Sequence, residues 1–299
     1  MSDIRFDGQV VIVTGAGGGL GRSHALEFAR RGAKVVVNDL GGAVDGSGGS
    51  SSAADAVVAE IKAAGGEAVA DGASVTNDAG VAAMVERTMA AWGRIDVLIC
   101  NAGILRDKSF SKMELADFTA VMDVHLLGTV KPLKAVWEIM RNQNYGRVVV
   151  TTSSSGLYGN FGQSNYGAAK LALVGLMNTL RLEGAKNDIR INAISPVAAT
   201  RMTENLMPKE MLEKLAPEYV TPGVVYLASK DGPNGAIVTA GAGVFSISNI
   251  YETDGANLGA GATAETVRDQ WAKIADPTGA EAYVGGHGQT QKFLRKLAP

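Results

Sequence analysis

The sequence has a single cysteine, Cys100, so no disulfide can form within the chain, and only three histidines, His24, His125 and His287. They lie far apart, without the close Cys/His spacing of a zinc site, and no metal is expected. No apolar run approaches the roughly 20 residues of a membrane span. The start, MSDIRFDGQV, lacks the basic-then-apolar layout of a secretory leader. Charge is balanced as well: 28 Lys and Arg against 30 Asp and Glu leave a net charge of −2, with no long block of one sign. That distribution excludes the usual signatures of nucleic-acid or anionic-membrane binding. These absences describe a reduced, cytoplasmic protein without membrane or nucleic-acid partners.

What is abundant is apolar and glycine residues, 46% hydrophobic with 38 glycines in 299 residues. Short β-branched runs recur: QVVIVTG at 9–15, AKVVVND at 33–39, EAVADGAS at 67–74, RIDVLICNAG at 94–103, GRVVVTTSS at 146–154, DIRINAIS at 188–195 and GAIVTAGAG at 235–243. Most are continuous rather than alternating, which suits strands covered on both faces, and helical patterns separate them. The reading is an α/β fold, one doubly wound Rossmann-type domain with a seven-stranded parallel sheet. Helix starts are expected at Ser111 with Glu114, at Thr221 with Pro222, and at Ser52 with Asp55.

Between residues 41 and 52, nine of twelve residues are Gly or Ser, a composition typical of a flexible linker. The tract follows one strand and ends on a helix cap, so a domain boundary there would split a βαβ unit. It reads instead as a loop folding over or beside a ligand bound at the strand end.

The first strand runs into TGAGGGLG, residues 14–21, with glycines at 15, 17, 18, 19 and 21. A turn so tight lets backbone N–H groups approach a pyrophosphate, and the following helix aims its positive end at the same charge. No Lys-Ser/Thr pair follows the glycines, which argues against a nucleoside triphosphate loop. Asp39 closes the second strand, where a carboxylate can accept both ribose hydroxyls and repel a 2′-phosphate, so the expected cofactor is NAD. Downstream, Ser153 ends the fifth strand, and Tyr166 and Lys170 share one helix face at i,i+4 spacing. An ammonium beside a phenol stabilises the phenolate, and Ser153 can hydrogen-bond a substrate oxygen, a set suited to alcohol oxidation or carbonyl reduction.

With these motifs the sequence resembles the short-chain dehydrogenase/reductase family over residues 8 to about 245. TGAGGGLG matches the family's Thr-Gly-x-x-x-Gly-x-Gly, NAG at 101–103 its fourth-strand motif, and Ser153, Tyr166 and Lys170 its catalytic set. The resemblance places Gly15, Gly19, Leu20, Gly21, Asp39, Ser74, Val75, Asn101, Ala102, Gly103, Tyr166, Lys170, Pro196 and Thr200 along the cofactor, with Lys170 on the nicotinamide ribose. Three departures stand out. The family's catalytic Asn is replaced by His125, in MDVHLLG, which either holds the water of a proton relay or packs. The acid that contacts adenine is replaced around Ala73 and Ser74. The Pro-Gly after the sixth strand is Pro196-Val197, leaving Thr200 and Thr203 both open as nicotinamide contacts.

VVVNDLGG, NAGILRDKSF, YGNFGQSNYGAAK and PEYVTP further resemble the (3R)-hydroxyacyl-CoA dehydrogenase unit of peroxisomal multifunctional enzyme type 2, also called 17β-hydroxysteroid dehydrogenase type 4. That resemblance implies NAD-dependent oxidation of a (3R)-hydroxyacyl-CoA to the 3-ketoacyl-CoA, the step after hydration in β-oxidation. Its alternatives are a hydroxysteroid or steroid-side-chain CoA substrate, or a non-catalytic NAD-binding module. It also implies a core domain over 1–249, a C-terminal extension over 250–299 packing on the same domain or its dimer partner, and a homodimer or homotetramer. The segment about 200–218, with Met202, Leu206, Met207, Met211, Leu212 and Leu215, is either a substrate loop or an amphipathic helix. Arg106 and Lys108 are candidates to meet CoA phosphates. KFLRKLAP lacks a Ser-Lys-Leu tail, so a peroxisomal address is not indicated.

Overall fold

The β-branched runs form strands β1 (Val10–Thr14), β2 (Lys34–Asn38), β3 (Glu67–Asp71), β4 (Val97–Cys100), β5 (Gly146–Thr151), β6 (Ile189–Val197) and β7 (Ile237–Gly241). The computed structural model describes residues 3–50, 52–199 and 209–297. The strands are joined in parallel, with Ile12 opposite Val36 and Leu98, and Val149 opposite Ile99 and Asn192. The single sheet has the order β3-β2-β1-β4-β5-β6-β7-β8.

Its eighth strand, β8 (Val244–Ser248), corrects the seven-stranded expectation. Only Ala242 and Gly243 separate it from β7, both with positive φ, 50° and 76°. A two-residue connection can join only antiparallel strands, and positive φ at both positions gives the turn that matches strand twist. The signal in the sequence was the β-favouring run Val-Phe-Ser-Ile-Ser directly after the Ala-Gly turn, although none of its residues is buried.

Helices α1 (Gly19–Arg30), α2 (Ser52–Ala63), α3 (Asp78–Trp92), α4 (Leu115–Met122), α5 (Gly128–Gln143), α6 (Ser154–Tyr158), α7 (Ser164–Gly184), α8 (Lys209–Glu213) and α9 (Thr221–Leu227) fill the connections. Both sheet faces are buried. Val11, Val13, Val35 and Val37 pack with Phe28, Ile61 and Val224 on one side; Ile12, Val36, Leu98 and Val148 pack with Met84, Val136 and Leu173 on the other. Burial on alternate sides of β1 explains why its residues are continuously apolar.

All three expected helix starts are shifted; α2 begins at Ser52 itself, so Ser52 lies inside its first turn. Residues 110–112 form a 3₁₀ turn and α4 begins at Leu115 with Glu114 at its cap, so Ser111 and Glu114 form no capping box. Thr221 lies inside the first turn of α9 rather than capping it. Its hydroxyl is 2.7 Å from the Ser23 hydroxyl and 2.8 Å from His24 Nδ1, both on α1. The cap was outcompeted by a buried polar contact.

The strand order reverses between β1 and β4: the chain first builds outward through β2 and β3, then returns to β1's other side. In such sheets the crevice beyond the carboxyl ends of the two central strands receives ligands. Contacts divide the chain into a unit Met1–Ile247 and a unit Ser248–Pro299. The second holds α10 (Ala264–Asp269), capped by Thr263, α11 (Trp271–Ile274) and α12 (Gly286–Leu297). Its Lys292 pairs with Glu252 and donates to the Thr253 carbonyl at 2.8 Å. Among the described residues no helix is long and apolar enough to cross a membrane.

Candidate active site

One cleft of about 530 Å³ opens at the switch point. Its lining includes Gly15, Gly18, Gly19 and Leu20 from the first turn, Asp39 from the end of β2, and Ser74 and Val75 beyond β3. Asn101, Ala102 and Gly103 follow β4, and Ser153, Tyr166, Lys170, His125 and Pro196 complete the far side. Of the residues that the resemblance places along the cofactor, two are not among these. Gly21 does not line the cleft: a Cβ there would lie 2.1 Å from the Gly15 carbonyl oxygen and 2.6 Å from Asn101 Nδ2, so it is glycine because the turn folds back on itself. Thr200 lies outside the described residues, as do Met202, Thr203, Leu206 and Met207.

The cofactor side is organised by backbone groups. α1 begins at Gly19 with no side-chain cap and no acidic residue in its first turn, leaving its N–H groups for an anion in the cleft. Asp39 accepts from Gly17 N–H at 2.7 Å with one oxygen and from Gly41 N–H at 2.6 Å with the other. Its carboxylate is thus fixed between the Gly-rich turn and the Gly/Ser loop, with lone pairs left to accept ribose hydroxyls. Thr14 Oγ1 accepts from the N–H groups of Asn101 and Ala102, while Asn101 Nδ2 donates to the carbonyls of Thr14 and Gly15. The free helix end and the fixed acid fit a dinucleotide.

The Gly/Ser loop is part of the wall: Gly42, Ala43, Val44 and Gly46 line the cleft. Val44's carbonyl accepts from Leu105 N–H at 2.9 Å, and Asp45's accepts from Arg106 Nε at 3.0 Å. Arg106 and Lys108 both pair with Asp117, which engages the cations offered above for CoA phosphates. The loop over the ligand expected from the Gly/Ser tract is thus in place, while its ties to Leu105 and Arg106 have no local signal in the sequence.

On the other side, α7 carries Tyr166 and Lys170 one turn apart, with Lys170 Nζ 5.5 Å from the centre of the phenol ring. Lys170 is buried, donates to the Thr151 carbonyl at 2.6 Å, and is pushed down to about 7 by desolvation. Burial raises the Tyr166 pKa, a hydrogen bond with Ser153 opposes that rise, and the Asp107 charge adds to it. Ser153 caps α6, accepting from Ser155 N–H at 3.2 Å.

His125 sits in a π-helical turn, Asp123–Leu127, between α4 and α5, a local widening that turns its ring inward. The ring is edge-on to Tyr166 at 5.0 Å, and a Cβ on Gly103 would lie 2.3 Å from it, which explains the glycine of NAG. Nε2 lies 3.1 Å from the Ile104 nitrogen and 2.8 Å from its oxygen; Nδ1 is buried without a partner among the described residues. Desolvation and the Lys170 charge hold its pKa well below the usual value, so the ring is neutral. Cys100, by contrast, is buried and pushed up to about 12, an inert thiol. Sequence reasoning passed over Ser155, Asn160 and Gln163, which also line the cleft and have no distinctive spacing.

The short chain dehydrogenase family model matches residues 9–211. A short-chain type dehydrogenase/reductase of Mycobacterium tuberculosis is 51% identical, over 91% of this chain and 96% of that protein. Peroxisomal multifunctional enzyme type 2 of Mus musculus is also 51% identical, over 92% of this chain but 38% of its own length. The solved full-length Drosophila melanogaster enzyme of that name covers 98% of this chain with a TM-score of 0.82 at 39% identity, and the chain spans 50% of it. A 7α-hydroxysteroid dehydrogenase solved with NADH covers 81% of this chain and 98% of its own, with a TM-score of 0.72 at 27% identity. Nicotinamide dinucleotides are the family's cofactors. The chain belongs to the short-chain dehydrogenase family and is an oxidoreductase.

Proposed function

We propose that the protein oxidises a (3R)-hydroxyacyl-CoA to the 3-ketoacyl-CoA with NAD. The observation that carries the reading is that Ser153, Tyr166 and Lys170 share one cleft with Asp39 and the Gly-rich turn. A bound NAD would supply the hydride acceptor for C3. Ser153 holds the C3 oxygen, and Tyr166 as phenolate takes the hydroxyl proton, so that hydride and proton leave together and the ketone forms. Burial raises the Tyr166 pKa, and the charge of Lys170 as ammonium offsets that rise; with its own pKa lowered to about 7, Lys170 can then release its proton to solvent and accept the one from Tyr166. The unpartnered Nδ1 of His125 offers a place for a water that continues this path. Asp39 selects NAD over NADP by accepting the ribose hydroxyls and repelling a 2′-phosphate.

For the substrate, the relatives' shared length and the apolar walls Ile104, Leu105, Val124 and Val197 support an acyl chain. The likeness to a 7α-hydroxysteroid dehydrogenase makes a hydroxysteroid the second reading. Leu171 and Leu182, each nearly half exposed on α7, favour a homodimer, which light scattering would weigh directly.

The first experiment mixes protein and NAD with (3R)- or (3S)-hydroxyacyl-CoA of medium chain length and follows NADH. Turnover of the R isomer alone is expected. Turnover of hydroxysteroids instead would establish the second reading, and silence with both, in protein that binds NADH, would remove the enzymatic one.

A further inference from the structure

Beside Ser153 the cleft carries a polar cluster that hydride transfer does not use. Gln163 Oε1 accepts from the Ser155 hydroxyl at 2.7 Å and from Asn160 Nδ2 at 3.0 Å, and its Nε2 donates to Asp107 Oδ2 at 2.6 Å. Ser155, Asn160 and Gln163 line the same cleft as Tyr166. Gln163 is also the cap residue of α7, the helix that bears Tyr166, yet its side chain makes no cap bond. A residue in that position ordinarily satisfies the helix; here the carboxamide bonds Ser155, Asn160 and Asp107 instead, at the wall of the cleft.

Its orientation is fixed by charge. Flipping the amide would set Oε1 against the Asp107 carboxylate and Nε2 against the Asn160 amide hydrogens, two repulsions in place of two bonds. With Oε1 occupied twice and one amide hydrogen on Asp107, Gln163 retains one N–H without a partner among the described residues.

Resting on the proposed function, we infer that Gln163 recognises the second oxygen of the substrate, a carbonyl one carbon removed from the hydroxyl-bearing carbon, and that Asp107 is the positioning residue that aims its N–H. In a 3-hydroxyacyl thioester only one carbon separates C1 from C3, so an oxygen held by Ser153 and Tyr166 brings the thioester carbonyl close by. The neighbouring walls Ile104, Val124 and Val197 are apolar, and a carbonyl placed among them without a donor would lose its hydrogen bond to water. Gln163 makes the cleft selective for alcohols with a carbonyl in the 1,3 relationship.

The test compares two ligands of equal length, the (3R)-hydroxyacyl-CoA and its thioether analogue with CH₂ in place of the thioester carbonyl, read as substrate or competitive inhibitor. Gln163→Ala is expected to lower kcat/KM for the thioester about 10- to 100-fold while the thioether changes less than about threefold. NADH affinity within about twofold of wild type, by fluorescence, shows that the variant is folded. Asp107→Asn should raise KM for the thioester with kcat largely kept, because the amide is then free to flip. It should also move the acid limb of the pH profile downward, since the Asp107 charge holds the phenol up. Equal losses on thioester and thioether, or no loss on either, would overturn the inference while leaving the oxidation itself intact. A wild-type protein that does not oxidise the thioester would overturn the proposed function, and this inference with it.

Discussion

Around the Gly-rich turn the cleft is made of backbone, whereas around Ser153 it is made of side chains that hold one another in place. On the first side, Gly17 and Gly41 N–H groups fix Asp39, and an uncapped helix end faces the cleft. On the second, Lys170, Tyr166, Ser153 and His125 are set by burial, a carbonyl contact and a ring contact. A backbone site tolerates few residue types, because a Cβ at Gly21 would collide with the chain itself. A side-chain site tolerates none of its chemistry being removed, because each group works through its neighbour. The two sides should therefore fail differently when altered: the first in binding, the second in turnover.

The largest expected effect tests the second side. Tyr166→Phe keeps the ring against His125 and removes only the hydroxyl, so NADH should bind within about twofold of wild type. Turnover should fall about 10²- to 10⁴-fold, the usual contribution of a positioned proton acceptor. Undiminished turnover would mean that the phenol is not the base and that the contrast between the two sides has been misdrawn.

This contrast also explains what is legible in the sequence. The glycines at 15 and 19, Asp39, and the Tyr166–Lys170 spacing were legible because local geometry alone ties residue type to position. The doubly wound sheet was legible because strands buried on both faces are continuously apolar. β8 was missed because none of its residues is buried, the cap at Thr221 because a tertiary contact claims its hydroxyl, and the cap at Ser111 because a 3₁₀ turn occupies residues 110–112. Gln163, Asp107 and the Arg106 contact to the strap connect residues up to 61 positions apart, and no local pattern announces them.

On the cofactor side, Asp39→Ser should relax the preference for NAD over NADP by about 10- to 100-fold, the worth of a charged hydrogen-bond acceptor. NAD binding should weaken at the same time, since the variant also releases Gly17 and Gly41. Ratios of kcat/KM for the two dinucleotides measure the change; an unaltered ratio would assign discrimination to the strap instead.

At the seam between α1 and α9 lies His24, fully buried against Thr221 and pushed down to about 3 by desolvation. The folded state therefore favours the neutral ring. Above the unfolded pKa, about 6.5, neither state is protonated and there is no penalty; below it the unfolded chain binds a proton that the folded protein resists. Stability should fall by about 1.4 kcal/mol per pH unit from this group as pH drops from 6.5 toward 3. Urea unfolding at pH 7.5 and pH 5 should show a smaller loss in His24→Asn than in wild type. Equal slopes would mean that the ring stays accessible to protons, and that the seam is looser than either side of the cleft.

The smallest effect sharpens the comparison most. The strap belongs to the backbone side, yet it is tied to the side-chain side by Arg106, which reaches the Asp45 carbonyl while paired with Asp117 on α4. Arg106→Ala removes that tie and leaves the Val44–Leu105 backbone bond. The guanidinium is charged, but solvent screens a bond this exposed to about 1 kcal/mol, so NADH should dissociate about 2- to 10-fold faster. Single-turnover hydride transfer should be unchanged, because no reacting group moves. Stopped-flow displacement of NADH separates the two rates. A loss in hydride transfer as large as the gain in dissociation would show that the strap positions the reacting groups as well as covering the cofactor, and the division between a binding side and a turnover side would then fail at this loop.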